Sequence, residues 1–207
     1  MIDHLVLATP DLVATSAAIA RAWGVEVVAG GAHTGLGTRN ALTGLGAGVY
    51  LEIVGPDPGQ PPPRRPRPFG VDHLTQPTLV AWCARPAMPL ADVVNRVASH
   101  GVHLGDIAEM SRARPDGVAL HWRLTFPLLG PPHEGCVPFL IDWLDSSHPA
   151  ESLPHQARLD ALHLVHPQAD VLNAVLAEIG HTRAIHVEQG PAQLWAEVHT
   201  PNGAVSL

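Results

Sequence analysis

Two distant segments of this chain share one pattern. Residues 3–10 read Asp-His-Leu-Val-Leu-Ala-Thr-Pro and residues 160–167 read Asp-Ala-Leu-His-Leu-Val-His-Pro, and each precedes a helical stretch that ends at a glycine. Alternating apolar side chains predict a strand in each segment, and Asp11 can cap a first helix that stops at Gly24. The chain is therefore expected to consist of repeated strand-helix units.

The first unit continues with three further predicted strands. A short strand over 26–28 leads into the glycine-rich run 30–37, and strands are predicted over 40–45 and 48–54. The order is βαβββ. We assign residues 1–55 to this module, 78–147 to a second βαβββ module, and 148–207 to a third, partial βαββ module packed on the same domain.

Residues 56–77 are rich in proline and contain Arg64, Arg65 and Arg67. Proline cannot donate hydrogen bonds to a sheet and favours extended geometry, so an exposed connection between the first two modules is expected. A proline-rich ligand for a recognition module is the alternative interpretation, and the plain connection is favoured over it.

Charge and composition restrict the partners. The net charge of −7 argues against nucleic acids and anionic membranes, so a small-molecule ligand is expected. The N-terminus lacks the features of a signal peptide, and no apolar stretch approaches the ~18 residues of a membrane span, which predicts a cytoplasmic protein. Cys83 and Cys136 lie in apolar contexts and are expected to be buried free thiols, although a disulfide stays open.

His4 and Glu52 are the first candidate site residues. Strand alternation places His4 opposite Leu5 and Leu7, and Glu52 opposite its apolar neighbours. If the first helix covers the leucine face, both polar side chains point to the uncovered face, where an imidazole and a carboxylate suit zinc, iron, manganese or nickel. The structural alternative, favoured for these two residues alone, is that His4 bonds to backbone and Glu52 pairs with an arginine.

Several longer motifs carry a family resemblance. Residues 3–7, 31–42 and 50–53, together with 110–112, 115–117, 120–122 and 138–143, resemble the glyoxalase-like domain family of the vicinal oxygen chelate (glyoxalase/bleomycin resistance/dioxygenase) superfamily. The run 31–42 is the most specific of these motifs. The resemblance covers most of the chain.

The resemblance implies an α+β fold in which repeated βαβββ modules form a curved, mixed half-barrel sheet with helices on its outer face. It also implies a site in the concavity, often with a divalent metal whose ligands come from the first and last strands of paired modules. His4 and Glu52 match these positions in the first module, and Asp142 is the matching carboxylate in the second. The matching first-strand position is Ala81, which cannot bind a metal, so His121 is a hypothetical substitute.

Five residues are candidates for contacts with a ligand. His33 lies in the glycine-rich run and can carry a proton or bind the ligand, or it can be merely exposed beside turn glycines. Thr38 and Asn40 can bond to a ligand or to their own turn. Arg112 can hold a carboxylate or be a surface arginine, and Trp122 can line the pocket or pack in the core. Glu52 and His33 are the candidate catalytic residues.

Two classes of function follow. One is a divalent-metal enzyme of lyase, isomerase or dioxygenase type in which Glu52 or His33 moves a proton. The other is a metal-free module that sequesters a small molecule, as bleomycin-resistance relatives do, and the missing ligand at Ala81 favours it. The third module has a structural alternative, in which it stabilises the fold or a homodimer.

Overall fold

A computed structural model describes residues 1–113, 117–126, 132–180 and 184–207 of the chain. The first unit is β1 (Ile2–Ala8), α1 (Leu12–Trp23), β2 (Val28–His33), β3 (Thr38–Gly44) and β4 (Tyr50–Pro56). The second is β5 (Thr78–Ala84), α2 (Leu90–Ala98), β6 (Asp106–Ala113), β7 (Ala119–Phe126) and β8 (Phe139–Asp142). Both therefore have the βαβββ order that the sequence predicts.

The two units form one curved, mixed sheet with the strand order β2-β3-β4-β1-β5-β8-β7-β6. Within each unit the first strand pairs in parallel with the last, and β1 pairs antiparallel with β5 at the centre. The α+β half-barrel fold is thus confirmed. The central pairing brings the first strands of both modules side by side.

Helix α1 shows why the repeated pattern forms a strand followed by a helix. The Asp11 carboxylate accepts a hydrogen bond from the Ala14 N–H at 2.9 Å, which satisfies one free donor of the first turn. At the other end Gly24 adopts φ +69°, a left-handed conformation that glycine tolerates best. Ile19 and Trp23 are buried, so α1 packs one face against the sheet.

The two faces of the sheet carry separate clusters of buried apolar side chains. Leu5, Leu51 and Ile53 belong to the cluster of buried side chains that also includes the helices. Val6 and Tyr50 belong to a second cluster on the concave face. Strand alternation therefore separates the side chains that hold the helices from those that can face a ligand.

The third unit has the βαβββ order of the other two, one strand more than the predicted βαββ, but its sheet departs from the repeat. It contains β9 (Arg158–Val165), α3 (Ala169–Ile179), β10 (Ile185–Glu188), β11 (Gln193–Thr200) and β12 (Gly203–Ser206), in a separate sheet with the order β10-β9-β11-β12. The first module instead has the order β2-β3-β4-β1. Strand β10 pairs directly with β9, so the similar strand-helix start leads to a different sheet. The buried side chains of α3 join the core on the helix side of the large sheet.

Residues 57–77, named here the cover segment, do more than connect the modules. Most of their side chains are exposed, as expected, but the segment folds back on the β2–β3 hairpin. The Gln60 amide donates to the Thr38 carbonyl at 3.1 Å, and the Arg67 Nε donates to the Gly37 carbonyl at 2.8 Å. Val71 is buried against the concave face. The segment therefore lies across the mouth of the concavity.

Helix length also bears on membranes. No helix within the described parts of the chain is both long and apolar enough to cross a bilayer.

Candidate functional site

A cavity of about 860 Å³ lies between the concave face and the cover segment. This volume suits a small organic molecule. Most of its wall is apolar or aromatic, with contributions from both modules: Tyr50, Trp122, Leu124, Phe139, Ile141 and Trp143. The polar groups are concentrated on the first module.

Four polar side chains meet at the floor of the cavity. The Glu52 carboxylate on β4 lies 3.5 Å from Nε2 of His4 on β1 and 3.5 Å from Nε2 of His33 on β2. The amide of Asn40 on β3 donates to Glu52 Oε1 at 2.5 Å. Because one neighbour comes from each of the other strands of the module, the sheet itself positions this group.

The ring of His4 is fixed by a buried carboxylate. Asp3 is fully buried, and its Oδ1 accepts from His4 Nδ1 at 2.7 Å. Its Oδ2 accepts from Trp143 Nε1 at 3.1 Å and from His148 Nε2 at 3.0 Å. The Nδ1 of His148 accepts from the Ala150 N–H, so a neutral His148 must carry its proton on Nε2. Asp3 thus joins β1 to the segment after β8.

Both buried carboxyl groups are held in their ionised form. Burial would raise the pKa of Asp3, but hydrogen bonds from His148 and His4 outweigh burial and hold that pKa far below its usual range. Burial would likewise raise the pKa of Glu52, but the hydrogen bond with His33 and the charges of His4 and His33 lower it to about 2. Glu52 is therefore negatively charged at neutral pH.

This arrangement requires a positive charge between His4 and Glu52. Nδ1 of His4 donates to Asp3, so in a neutral ring Nε2 would present a lone pair to the Glu52 carboxylate at 3.5 Å. Two electron-rich groups facing each other in a buried site are unfavourable. A proton on Nε2 or a metal ion between the two groups removes the conflict.

Comparison with known proteins identifies the family. A family model described as "Glyoxalase-like domain" matches residues 2–180. The chain belongs to this family. The resemblance to the glyoxalase-like domain family is thereby confirmed.

Several solved structures are similar to this glyoxalase-like protein. A hypothetical protein from Staphylococcus aureus superposes with a TM-score of 0.62 at 15% identity, over 92% of this chain and 86% of that chain. A variant of methylmalonyl-CoA epimerase from Streptomyces coelicolor, in complex with 2-nitronate-propionyl-CoA, superposes with a TM-score of 0.48 at 20% identity. The match covers 72% of this chain and 98% of that chain. A mutant of 4-hydroxymandelate synthase from Streptomyces coelicolor superposes with a TM-score of 0.47 at 12% identity. The match covers 100% of this chain and 61% of that chain. No curated protein matches the sequence.

Two predicted metal ligands of the second glyoxalase-like module do not reach the cavity. On β7, Trp122 and Leu124 line the cavity, so His121 points to the other face and is exposed. On β8, Ile141 lines it, so its neighbour Asp142 is exposed on the outer face.

The structure therefore brings neither His121 nor Asp142 to His4 and Glu52. The expected alignment of Asp142 with Glu52 is off by one residue, because the neighbours of Asp142 take the concave face that Glu52 takes in the first module.

The ligand-binding candidates divide by position. His33, Asn40 and Trp122 line the cavity. Thr38 is fully buried, and its hydroxyl lies 3.0 Å from His33 Nδ1, so it contacts the imidazole and not the cavity. The side chain of Arg112 lies outside the described part of the structure.

Sequence reasoning missed Asp3 and the position of Cys83. Asp3 precedes His4, and a carboxylate beside a candidate ligand histidine is a signal that could have found it.

Cys83 pairs with His4 across the central strands, and ligand atoms of Asp3, His4 and Cys83 lie within 4.8 Å of one another. Burial, Asp3 and Glu52 raise the pKa of the Cys83 thiol well above its ordinary value, and Asp3 already accepts three hydrogen bonds. This trio is therefore a poor ion site.

The floor of the cavity does fit two ligands of a divalent ion. His4 presents Nε2 while a carboxylate anchors Nδ1, which is the usual support for a metal-bound histidine. Glu52 is ionised and faces that nitrogen, and His33 Nε2 faces its other oxygen. The second module adds Phe139 and Ile141 to the wall of the cavity, which cannot bind a metal.

Proposed function

We propose that this protein is a small-molecule enzyme of lyase or isomerase type that uses a divalent ion held by His4 and Glu52, with His33 as the proton carrier. The observation that carries the proposal is the buried His4 Nε2 facing the ionised Glu52 carboxylate, with Asp3 behind the ring. When bound, a divalent ion supplies Lewis-acid polarisation of a substrate oxygen.

The side chains of the floor divide the remaining work. Because the pKa of Glu52 is about 2, its carboxylate is a weak base near neutral pH and suits a constant negative charge. An imidazole is the side chain whose ordinary pKa suits proton transfer at neutral pH, which favours His33 as the proton carrier. Thr38 orients the His33 ring, and Asn40 holds Glu52 through an amide that the Gly31 N–H fixes in turn.

The walls exclude water from the reacting groups. Tyr50 stacks on the His4 ring with centroids 4.7 Å apart, and Phe139 meets the same ring edge-on at 5.4 Å. Both rings also line the cavity. A dry, apolar environment strengthens the electrostatic interactions that the floor can make with a substrate.

A metal-free binding protein is the second candidate. The observation that favours it is the apolar contribution of the second module, whose Phe139 and Ile141 offer no ligand to an ion. In that case a proton on His4 Nε2 supplies the positive charge that the pair requires, and the cavity sequesters its ligand.

Metal content of the protein distinguishes the two candidates. The protein is purified without a histidine tag from cultures supplemented in turn with zinc, iron, manganese and nickel, and bound metal is measured by mass spectrometry. We expect stoichiometric metal in the wild type and its loss in His4→Ala and Glu52→Gln. His121→Ala and Asp142→Asn are matched controls, since both residues are exposed on the outer face, and they should retain the metal.

The same samples provide a second readout. An ion at one hundred times its dissociation constant stabilises the folded state by about 2.7 kcal/mol, which raises the melting temperature of the wild type but not of His4→Ala. A wild type that contains no metal under any supplement and shows no thermal shift with any of these ions would refute the metal enzyme and leave the binding protein.

A further inference from the structure

The cover segment contributes an arginine to the cavity. Arg65 lines the mouth, as does Phe69 of the same segment. Arg67 also borders the cavity, but the Arg67 guanidinium is engaged with the Gly37 carbonyl and with Asp72. Arg64 and Arg65 are both exposed, but Arg64 does not line the cavity. The three arginines therefore occupy different environments.

The charges around the cavity are otherwise paired. At the floor, Glu52 lies between His4 and His33. At the rim, Glu134 is bound to His166 Nε2 at 3.0 Å. Among the described residues, none forms a hydrogen bond or ion pair with the Arg65 guanidinium. Arg65 is thus a cation at the mouth of an apolar cavity that is free to bind a ligand.

We infer that the ligand is an organic anion with an apolar body, and that Arg65 binds its oxyanion group at the mouth of the cavity. This inference rests on the proposed function, because it places the uncharged end of the ligand at His4 and Glu52. The planar guanidinium offers parallel N–H donors that match a carboxylate or a related oxyanion.

The positions of the charges also give the ligand a direction. At the floor the Glu52 carboxylate already faces His4 and His33, whereas Arg65 at the mouth has no such partner among the described residues. Between the floor and the mouth the wall is apolar, formed by side chains such as Trp122, Leu124 and Phe139. An apolar body therefore fits the middle of the cavity, and its anionic end fits Arg65 at the mouth.

Two fluorescent probes with the same apolar body test this inference. Anilinonaphthalene sulfonate carries an oxyanion, and phenylnaphthylamine is the same body without it. Dissociation constants are measured by fluorescence titration for the wild type, Arg65→Gln and Arg64→Gln. We expect Arg65→Gln to weaken binding of the sulfonate about tenfold and to leave the neutral probe unchanged. Arg64→Gln, the matched control in the same segment, should change neither constant.

An Ile141→Trp variant shows that the probes occupy the cavity. Ile141 is buried and lines the cavity, so a larger side chain there should weaken binding of both probes. Equal effects of Arg65→Gln and Arg64→Gln on the sulfonate, or no effect of Arg65→Gln, would overturn the inference while leaving the metal experiment intact. Failure of both probes to bind in the cavity would overturn it as well.

Discussion

Replacing Asp3 with asparagine tests the buried network behind His4. The carboxylate accepts three hydrogen bonds, from His4 at 2.7 Å, His148 at 3.0 Å and Trp143 at 3.1 Å. Asparagine keeps one oxygen but replaces the other with an uncharged NH₂ group, so all three donors lose a charged acceptor, and the NH₂ group faces a donor unless His4 moves its proton from Nδ1 to Nε2. A hydrogen bond to a charged group contributes ~1.5–3 kcal/mol, and an unpaired buried donor costs ~1–3 kcal/mol. We therefore expect Asp3→Asn to lower the free energy of unfolding by about 3–5 kcal/mol.

Urea denaturation at neutral pH measures this loss, and Asp142→Asn is the matched control. Asp142 is exposed on the same sheet, so its substitution should change the free energy of unfolding by no more than about 0.5 kcal/mol. An Asp3→Asn protein within about 1 kcal/mol of the wild type would refute the reasoning, because the donors would then have found other partners.

The effect of Asp3→Asn on the free energy of unfolding should depend on pH. The pKa of Asp3 is lowered in the folded protein, so the stabilisation by its carboxylate is fully present above the unfolded pKa of ~3.9 and is lost as the pH falls below it. The difference in unfolding free energy between wild type and Asp3→Asn should therefore shrink below about pH 4. A difference that grows in acid would contradict the assigned ionisation.

Two further predictions concern the first module. Because the pKa of Glu52 is about 2 in the folded state, its stabilisation is present above the unfolded pKa of ~4.3 and is lost as the pH falls towards 2. This is measured by NMR of a protein with ¹³C-labelled glutamate, in which the Glu52 carboxyl resonance is the one that is absent from Glu52→Gln. Its chemical shift should stay constant from neutral pH to about pH 4, where the resonances of exposed glutamates change. Gly44→Ala should lower the free energy of unfolding by about 1–3 kcal/mol, because its Cβ would lie 2.5 Å from the Pro154 carbonyl oxygen. Gly35→Ala is the control, with a left-handed φ of +79° but no atom within 4 Å, and should cost only about 1 kcal/mol in a urea titration.

The sequence predicted the first module well because its signals are local. Strand alternation placed His4 and Glu52 on one face, and the cap at Asp11 with the stop at Gly24 predicted the bounds of the helix. The strand now named β2 extends from Val28 to His33, beyond the predicted short strand, because the glycine-rich run pairs with β3 as a hairpin.

The second module was harder to predict at the level of single residues. Two apolar neighbours flank both Glu52 and Asp142, so the local pattern does not reveal which face each carboxylate takes. The face of β8 depends on its pairing with β5, where Cys83 lies opposite Phe139. A shift of one residue in such a pairing reverses every side chain of the strand. Contacts of this range leave no trace in the local sequence.

Long-range packing also explains what was not foreseen in the cover segment and the third unit. Proline content correctly indicated that the segment between β4 and β5 is exposed. It did not indicate the hydrogen bond from Arg67 to the Gly37 carbonyl, because the two residues are thirty positions apart in the chain. The start of β9 and α3 resembles β1 and α1, yet the pairing partner of β9 differs. A repeated local pattern predicts elements and not their neighbours.

The path of the cover segment has one more consequence. It leaves β4 and enters β5, and these are the strands on either side of β1, which carries His4. The chain therefore crosses above His4 between two fixed points on the sheet. Insertions or replacements between those points can alter which molecules enter while β4 and β5 keep their pairing with β1. In this architecture selectivity and chemistry can change independently during evolution.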